Sequence, residues 1–502
     1  MRQSPEVRTA NGVVRGRYEG RLALFRGIPF AQPPLGPRRF SAPKAAEPWD
    51  GVRDADRFGP SVPQSTVFAD PASPAPVPDG SGDWLTLNVW SPDPGTANLP
   101  VMVWIHGGAY LMGTSADPMY DGSAIAREGV VYVSLNYRVG MEGFAHIEGA
   151  PDNRGLLDQV AALRWVRQNI AAFGGDPGNI TVFGQSAGAG SIAALLAMPS
   201  ARGLFRRAVA QSVPGTFLSR ALAADVGATV AGEFGLRPTV SDLATVPPAR
   251  LQAAGDAVTR KMAEFADRWG VLSRTPTPYS PVVDGDVLPA SPWDALRAGA
   301  SRDVDLLAGH TRDEFRLFTT LNGGGPRGVT AEQAAAALEA FGPGPTGGAA
   351  YRTAHPTATF GRLHELVSSD WFFRMPTLKL AEAHAAGGGR TRMYTLDWSP
   401  TPLGAAHSLD TLLVLGNLRG PMLSTLLLGP DPGEEAERVS RDMRDAWVRF
   451  AATGEPGWPR FDGRRRLTRV YDREASTVPY PEETSRSIWA DHEFGVLGLR
   501  RC

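Results

Sequence analysis

The amino-acid sequence predicts an α/β protein whose mainly parallel central sheet is flanked by helices. Three observations lead there. Short apolar, β-branched segments alternate with longer Ala/Leu-rich ones, the pattern of strands and helices in a parallel sheet. The segment LLDQVAALRWVRQNIAAFGGDP (156–177) repeats its apolar positions at helical spacing and stops at GGDP, as a crossover helix between two buried strands would. In ITVFGQSAGAGSIAALLAMP (180–199) a β-favouring run turns straight into a helical one with no polar linker.

Taken in order, the expected strands are LTLNVW (85–90), PVMVWIH (100–106), VVYVSLNY (130–137), ITVFG (180–184), RAVAQS (207–212), VDLLAGH (304–310) and RMYTLDW (392–398). Three regions break the rhythm. Residues 60–82 are rich in Pro, Ser and Asp, residues 217–280 read as helical and less regular, and 321–352 are laden with glycine. Insertions in an α/β sheet usually leave the carboxyl ends of strands, where ligands bind. The chain is therefore expected to form one domain over 1–502, with pocket-walling insertions near 60–82, 217–280 and 319–390. No internal repeat is present.

With 51 basic and 52 acidic side chains the formal charge is −1, which argues against an electrostatic grip on nucleic acid or an anionic membrane. Only Lys44, Lys261 and Lys379 among the cations are lysines, a bias of ancestry rather than function. The single cysteine, Cys502, excludes an internal disulfide framework and a cysteine-based zinc site, and it is misplaced for prenylation. The N-terminus has no apolar h-region and no apolar run reaches about 18 residues. The expectation is a soluble, cytoplasmic protein, probed by small ligands rather than by polymers.

The junction GQSAG has the form of a nucleophile elbow, in which a strained strand-to-helix turn lifts a serine hydroxyl into solvent. Gly184 and Gly188 flank Ser186 where a Cβ would collide with a neighbouring strand or helix. By itself Gly-X-Ser-X-Gly is weak in a chain with 57 glycines; the strand before it and the helix after it strengthen it. The loop WIHGGAY (104–110) follows an apolar strand where an oxyanion loop should stand, with Gly107, Gly108 and Ala187 as expected donors. His106 precedes the serine, against the order serine, acid, histidine, and is read as holding the glycine loop. Of the six later histidines, His310, His355, His364, His384, His407 and His492, His407 lies in a small-residue loop after RMYTLDW, suited to meet the serine. The acid is Asp313 or Glu314, adjacent after LLAGHTR, and periodicity does not choose between them.

Together these motifs resemble the type-B carboxylesterase and cholinesterase-like family of α/β-hydrolases, over almost the whole chain. The likeness also rests on FRGIPFAQPPLGPRRFSAPKAAEPWDGVRDADRFGP, LTLNVWSP, NYRVGMEGF, GLFRRAVAQS, PVVDGDVLP and WVRFAATGEP. The resemblance implies an α/β-hydrolase fold with Ser186 as nucleophile, Glu314 as acid, His407 as base, and Ser212 and Asp410 supporting the histidine from behind. It implies cleavage of small to medium carboxylic esters through an acyl-enzyme, by a monomer needing neither metal nor organic cofactor. Three departures matter. Gly82-Asp83-Trp84 replaces a cysteine-containing segment, Gln185 replaces the common glutamate and removes a charge suited to quaternary ammonium groups, and Phe315 stands where glycine usually follows the acid. The alternatives are a lipase or an esterase promiscuous toward long-chain, carbamate, amide or aromatic polyester substrates, and, more remotely, a non-catalytic binding protein.

Overall fold

In the computed structural model, which describes residues 3–67, 82–95, 98–420 and 422–500, eleven strands form one sheet. They are β1 (Arg17–Glu19), β2 (Leu22–Pro29), β3 (Thr86–Ser91), β4 (Leu99–Ile105), β5 (Val131–Leu135), β6 (Gly175–Gln185), β7 (Arg207–Gln211), β8 (Asp305–Thr311), β9 (Thr391–Leu396), β10 (Leu467–Tyr471) and β11 (Ser476–Pro479). Their spatial order is 11-10-9-8-7-6-4-5-3-2-1. The stretch from β5 to β10 is parallel throughout, while β3, β2 and β1 at one edge and β11 at the other run antiparallel to their neighbours.

Every expected strand is present. The sequence pattern does not mark β1, β2, β10 and β11: β1, β10 and β11 are short and partly exposed, whereas β2 is eight residues long and buried but is broken by Arg26 and Gly27. In β4, Val101, Val103 and Ile105 join one apolar cluster while Met102 and Trp104 join a second on the opposite face. Burial on both faces explains why these strands read as continuous apolar runs. The helices α1 (Arg154–Asn169), α2 (Ala187–Ala197) and α3 (Met375–Ala386) cover the first face, and α4 (Leu409–Leu415) and α5 (Glu434–Thr453) the second.

The irregular 217–280 region is helical and closes on itself: Leu218–Ser219 pairs in parallel with Val282–Val283. Within 319–390 the last helix, α3, packs against β8 and β9. It belongs to the sheet's own covering layer, so the excursion ends before it. Most of 60–82, and Cys502, lie outside the described residues.

The crossover helix is fastened by a buried ion pair. Arg138, in the loop leaving β5, donates from Nε and Nη2 to Asp158 of α1 at 2.8 Å each, and its backbone N–H adds a third bond at 3.0 Å. Both side chains are fully buried. Removing one partner of such a pair strands an uncompensated charge, so Asp158→Ala should cost about 3–5 kcal/mol of unfolding free energy. A loss of unfolding free energy below about 1 kcal/mol, from urea titrations of the two proteins, would contradict this accounting.

Candidate active site

Strand β6 ends at Gln185 and α2 begins at Ala187, so Ser186 carries the whole change of direction, at φ 59 and ψ −126. A non-glycine residue there stores on the order of 1–3 kcal/mol and persists only if its surroundings over-determine it. They do: Ser186 N–H donates to Gln211 O at the end of β7, and its carbonyl accepts from Gly190 N–H, both at 2.9 Å. A Cβ on Gly188 would lie 2.0 Å from the carbonyl oxygen of Ile105. Gln185 and Ala187 are buried, whereas Ser186 stays partly exposed toward a cavity.

His407 sits in the loop after β9, immediately before Ser408 (φ 72) and α4. Its Nδ1 lies 2.5 Å from Glu314 Oε2. The other carboxylate oxygen of Glu314 accepts from Ser212 Oγ at 2.5 Å and from the Thr311 N–H at 2.9 Å. Burial alone would raise the Glu314 carboxyl; the His407 ring and the hydrogen bonds from His407 and Ser212 outweigh it and hold the group below the usual glutamate range. An ionised Glu314 against Nδ1 keeps that nitrogen protonated and leaves Nε2 as the basic one.

Of the adjacent acids, Glu314 meets the histidine and Asp313 does not. Asp313 turns into a cluster with Arg312, Arg316 and Arg362, and it exchanges two bonds with Ala405: its N–H donates to Ala405 O at 2.8 Å and its Oδ2 accepts the Ala405 N–H at 3.2 Å. It therefore ties down the loop that carries His407. Phe315, the residue in glycine's usual place, adopts an ordinary helical conformation (φ −79) and stacks on Phe372, so the departure leaves the backbone at Glu314 unstrained.

The supporting residues differ in detail from expectation. Ser212 bonds to Glu314 and not to His407. Asp410 accepts from Tyr394 at 2.6 Å and makes no hydrogen bond to His407, whose two ring nitrogens face Glu314 and Gln185. The Gln185 amide nitrogen lies 2.9 Å from His407 Nε2. Among the described residues no hydrogen bond joins Ser186 to His407, although both line the same cavity.

The loop after β4 needs a correction. Gly108 (φ 113) makes no hydrogen bond through its N–H among the described residues, and nor does Ala187. Gly107 is differently engaged: its carbonyl accepts from His106 Nδ1 at 2.8 Å, and its backbone lies against the Tyr120 hydroxyl. Ala109, at φ 55, lines the cavity with its N–H likewise unengaged. No glycine marks that position, so the sequence offered no signal for it.

His106 is fully buried, stacks on Tyr137 at 4.3 Å and lies among the wall residues of this loop. His310 bonds to the Tyr480 hydroxyl and His384 to Thr391, away from the serine. Of the other later histidines, His355, His364 and His492 make no contact with Ser186 or Glu314. Among the described residues no group of three or more His, Cys, Asp or Glu side chains is placed to hold a metal ion.

The cavity over Ser186 measures about 270 Å³ and is walled chiefly by apolar groups, among them Met112, Leu317, Phe318, Phe372 and Phe373. Thr275, Pro276 and Thr277 supply one side, from the end of the 217–280 excursion. Among the described residues Asp117 is the one carboxylate in the lining; burial pushes its pKa up and the hydrogen bond from the Met119 N–H partly offsets this. A larger cavity of about 350 Å³ behind Phe315 contains neither the serine nor His407.

A serine on a strand-to-helix turn of a parallel sheet, under an apolar cavity shared with a glutamate-bound histidine, defines an α/β-hydrolase. Residues 3–340 match the carboxylesterase family, and the chain belongs to it. It is 38% identical over 496 residues to the para-nitrobenzyl esterase of Bacillus subtilis (strain 168), covering 96% of this chain and 97% of that one. It is 35% identical over 480 residues to the fumonisin B1 esterase of Sphingopyxis macrogoltabida, covering 91% and 84%. The crystal structure of a carboxylesterase from Geobacillus stearothermophilus superposes with a TM-score of 0.83 at 36% identity, covering 96% of this chain and 99% of that one. The protein is a carboxylester hydrolase.

Burial pushes the His106 imidazole down to about 4 from an ordinary 6.5. The unfolded chain therefore binds the extra proton first, and stability falls as pH drops through that window. Urea titrations between pH 7 and 4 should carry a contribution of up to about 1.4 kcal/mol per pH unit from this group. His106→Gln should flatten the curve by that amount; an unchanged slope would exclude His106 as its source.

Proposed function

We propose that Ser186 Oγ attacks the ester carbonyl carbon while His407 Nε2 takes its proton and Glu314 stabilises the imidazolium. The carbonyl oxygen, now negative, accepts from the N–H groups of Gly108, Ala109 and Ala187, which make no hydrogen bond among the described residues. The C–O bond breaks as His407 returns the proton to the leaving alcohol. Water, deprotonated by the same nitrogen, attacks the acyl-enzyme and releases the acid. The observation that carries this reading is the 2.5 Å contact between His407 and an ionised, triply bonded Glu314 beside the turn that presents Ser186.

The substrates are taken to be neutral esters of small to medium size. A cavity of about 270 Å³ with apolar walls and no Lys or Arg among its described lining residues supports that range. The same reading takes the enzyme as a cytoplasmic monomer that needs no cofactor, since one chain supplies every group in the cycle. No described helix is long and apolar enough to cross a membrane.

Ser186→Ala and His407→Ala should each lower turnover by a factor on the order of a million, because such residues act as a unit. A clean Ser186→Ala preparation that keeps a tenth of wild-type ester hydrolysis would sink the scheme. With nitrophenyl esters from acetate to palmitate, rates should peak at short to medium chains and show no jump at the solubility limit. A maximum at palmitate with activation above that limit would instead identify a lipase.

A further inference from the structure

The basic nitrogen of the histidine is already occupied in the free enzyme, and not by the serine. His407 Nε2 lies 2.9 Å from Gln185 Nε2. Two nitrogens at that distance form a hydrogen bond only if one donates and the other offers a lone pair. Because Nδ1 carries its proton toward Glu314, Nε2 of the neutral ring is the acceptor and the Gln185 amide is the donor. The other end of the amide agrees: Gln185 Oε1 lies 3.3 Å from the Ser408 hydroxyl, which donates to it. Turning the amide over would set an oxygen against the Nε2 lone pair, whereas the Ser408 hydroxyl can meet either end, so the histidine contact selects the orientation.

Nothing else in the surroundings would relieve the contact. The imidazole ring lies against Phe373 at 4.2 Å and Phe318 at 5.2 Å between centroids, which limits its swing. Gln185 is 4% exposed, so its N–H has little water as an alternative partner. The titratable and charged groups around the ring are Glu314 on Nδ1, Asp410 with Tyr394 behind it, and His310 beyond Glu314. None of them competes for Nε2. The Gln185 side chain is also part of the cavity lining, where a bound ester would touch it.

We propose that Gln185 is a positioning residue that holds His407 Nε2 in the empty enzyme, and that a bound ester displaces the amide so that the Ser186 hydroxyl takes its place as proton donor. This rests on the roles assigned above to Ser186 and His407. Breaking the amide bond is then a cost of binding: it raises KM and leaves kcat nearly untouched. A residue that merely filled space would affect both.

Two substitutions keep the side-chain volume and so preserve the packing. Gln185→Met removes the donor. For a nitrophenyl ester its KM should fall about threefold to tenfold, the value of one hydrogen bond, with kcat within about twofold of wild type. In free enzyme labelled with ¹⁵N histidine, the His407 Nε2 resonance should move toward that of an unbonded imidazole nitrogen. Gln185→Glu replaces the donor with an acceptor that pairs with protonated Nε2, so the acid limb of its kcat/KM profile should shift upward by about one pH unit. The proposal is overturned if KM and kcat of Gln185→Met change in parallel, if its Nε2 resonance coincides with wild type, or if the Gln185→Glu profile does not move. A Ser186→Ala control separates the two levels: a tenth or more of wild-type activity there would refute the serine mechanism itself, whereas the resonance comparison tests Gln185 without any turnover.

Discussion

The rest of the active site depends on one absence of space, the gap between the carbonyl of Ile105 at the end of β4 and the first turn of α2. A Cβ on Gly184 or Gly188 would stand 2.5 or 2.0 Å from that oxygen. Because neither exists, α2 can start directly off β6 and drive Ser186 into a left-handed conformation its neighbours could not relax. Close packing here also brings the glycine loop beside the serine: a Cβ on Gly107 would lie 3.2 Å from Ser186 Cβ. Ser186 and the glycine loop are thus adjacent as a direct consequence of how tightly two strands and one helix meet. Strain stored at one residue is balanced by the regular burial of the sheet around it.

The histidine side is organised by electrostatics more than by packing. Glu314 is buried without a cation touching it, and its charge is compensated by three donors: the Ser212 hydroxyl, the Thr311 N–H and His407. Its neighbour Asp313 faces the other way, among three arginines, and fastens the histidine loop through Ala405. Two adjacent acids thereby divide two tasks: one bonds the imidazole, while the other fixes the loop from which it projects. Gln185 adds a third influence on the same ring, from the opposite edge.

Much of this was legible from the residues. Burial on both faces writes the central strands as apolar runs, and the abrupt strand-to-helix junction with glycines on either side marks Ser186 before any coordinates exist. Other parts were not legible for physical reasons. Edge strands β1 and β11 bury too little to leave a pattern. Ala109 takes a positive φ that its side chain does not advertise. The partners of Ser212 and Asp410 depend on how the loops and strands of distant segments pack, and that is a matter of ångströms rather than of spacing.

The sequence by itself determined the class of fold, the central strands along the chain, the strand-to-helix turn that presents Ser186 and the loop that carries His407, because each is a local consequence of chain geometry and burial. Only the tertiary structure shows where each group goes: Glu314 onto His407 and Asp313 among the arginines, the Ala109 N–H unengaged at the cavity, and the Gln185 amide against His407 Nε2. Each of those outcomes depends on contacts between elements far apart in the chain. Such a contact exists only once the sheet has been closed and its loops have been packed over one cavity.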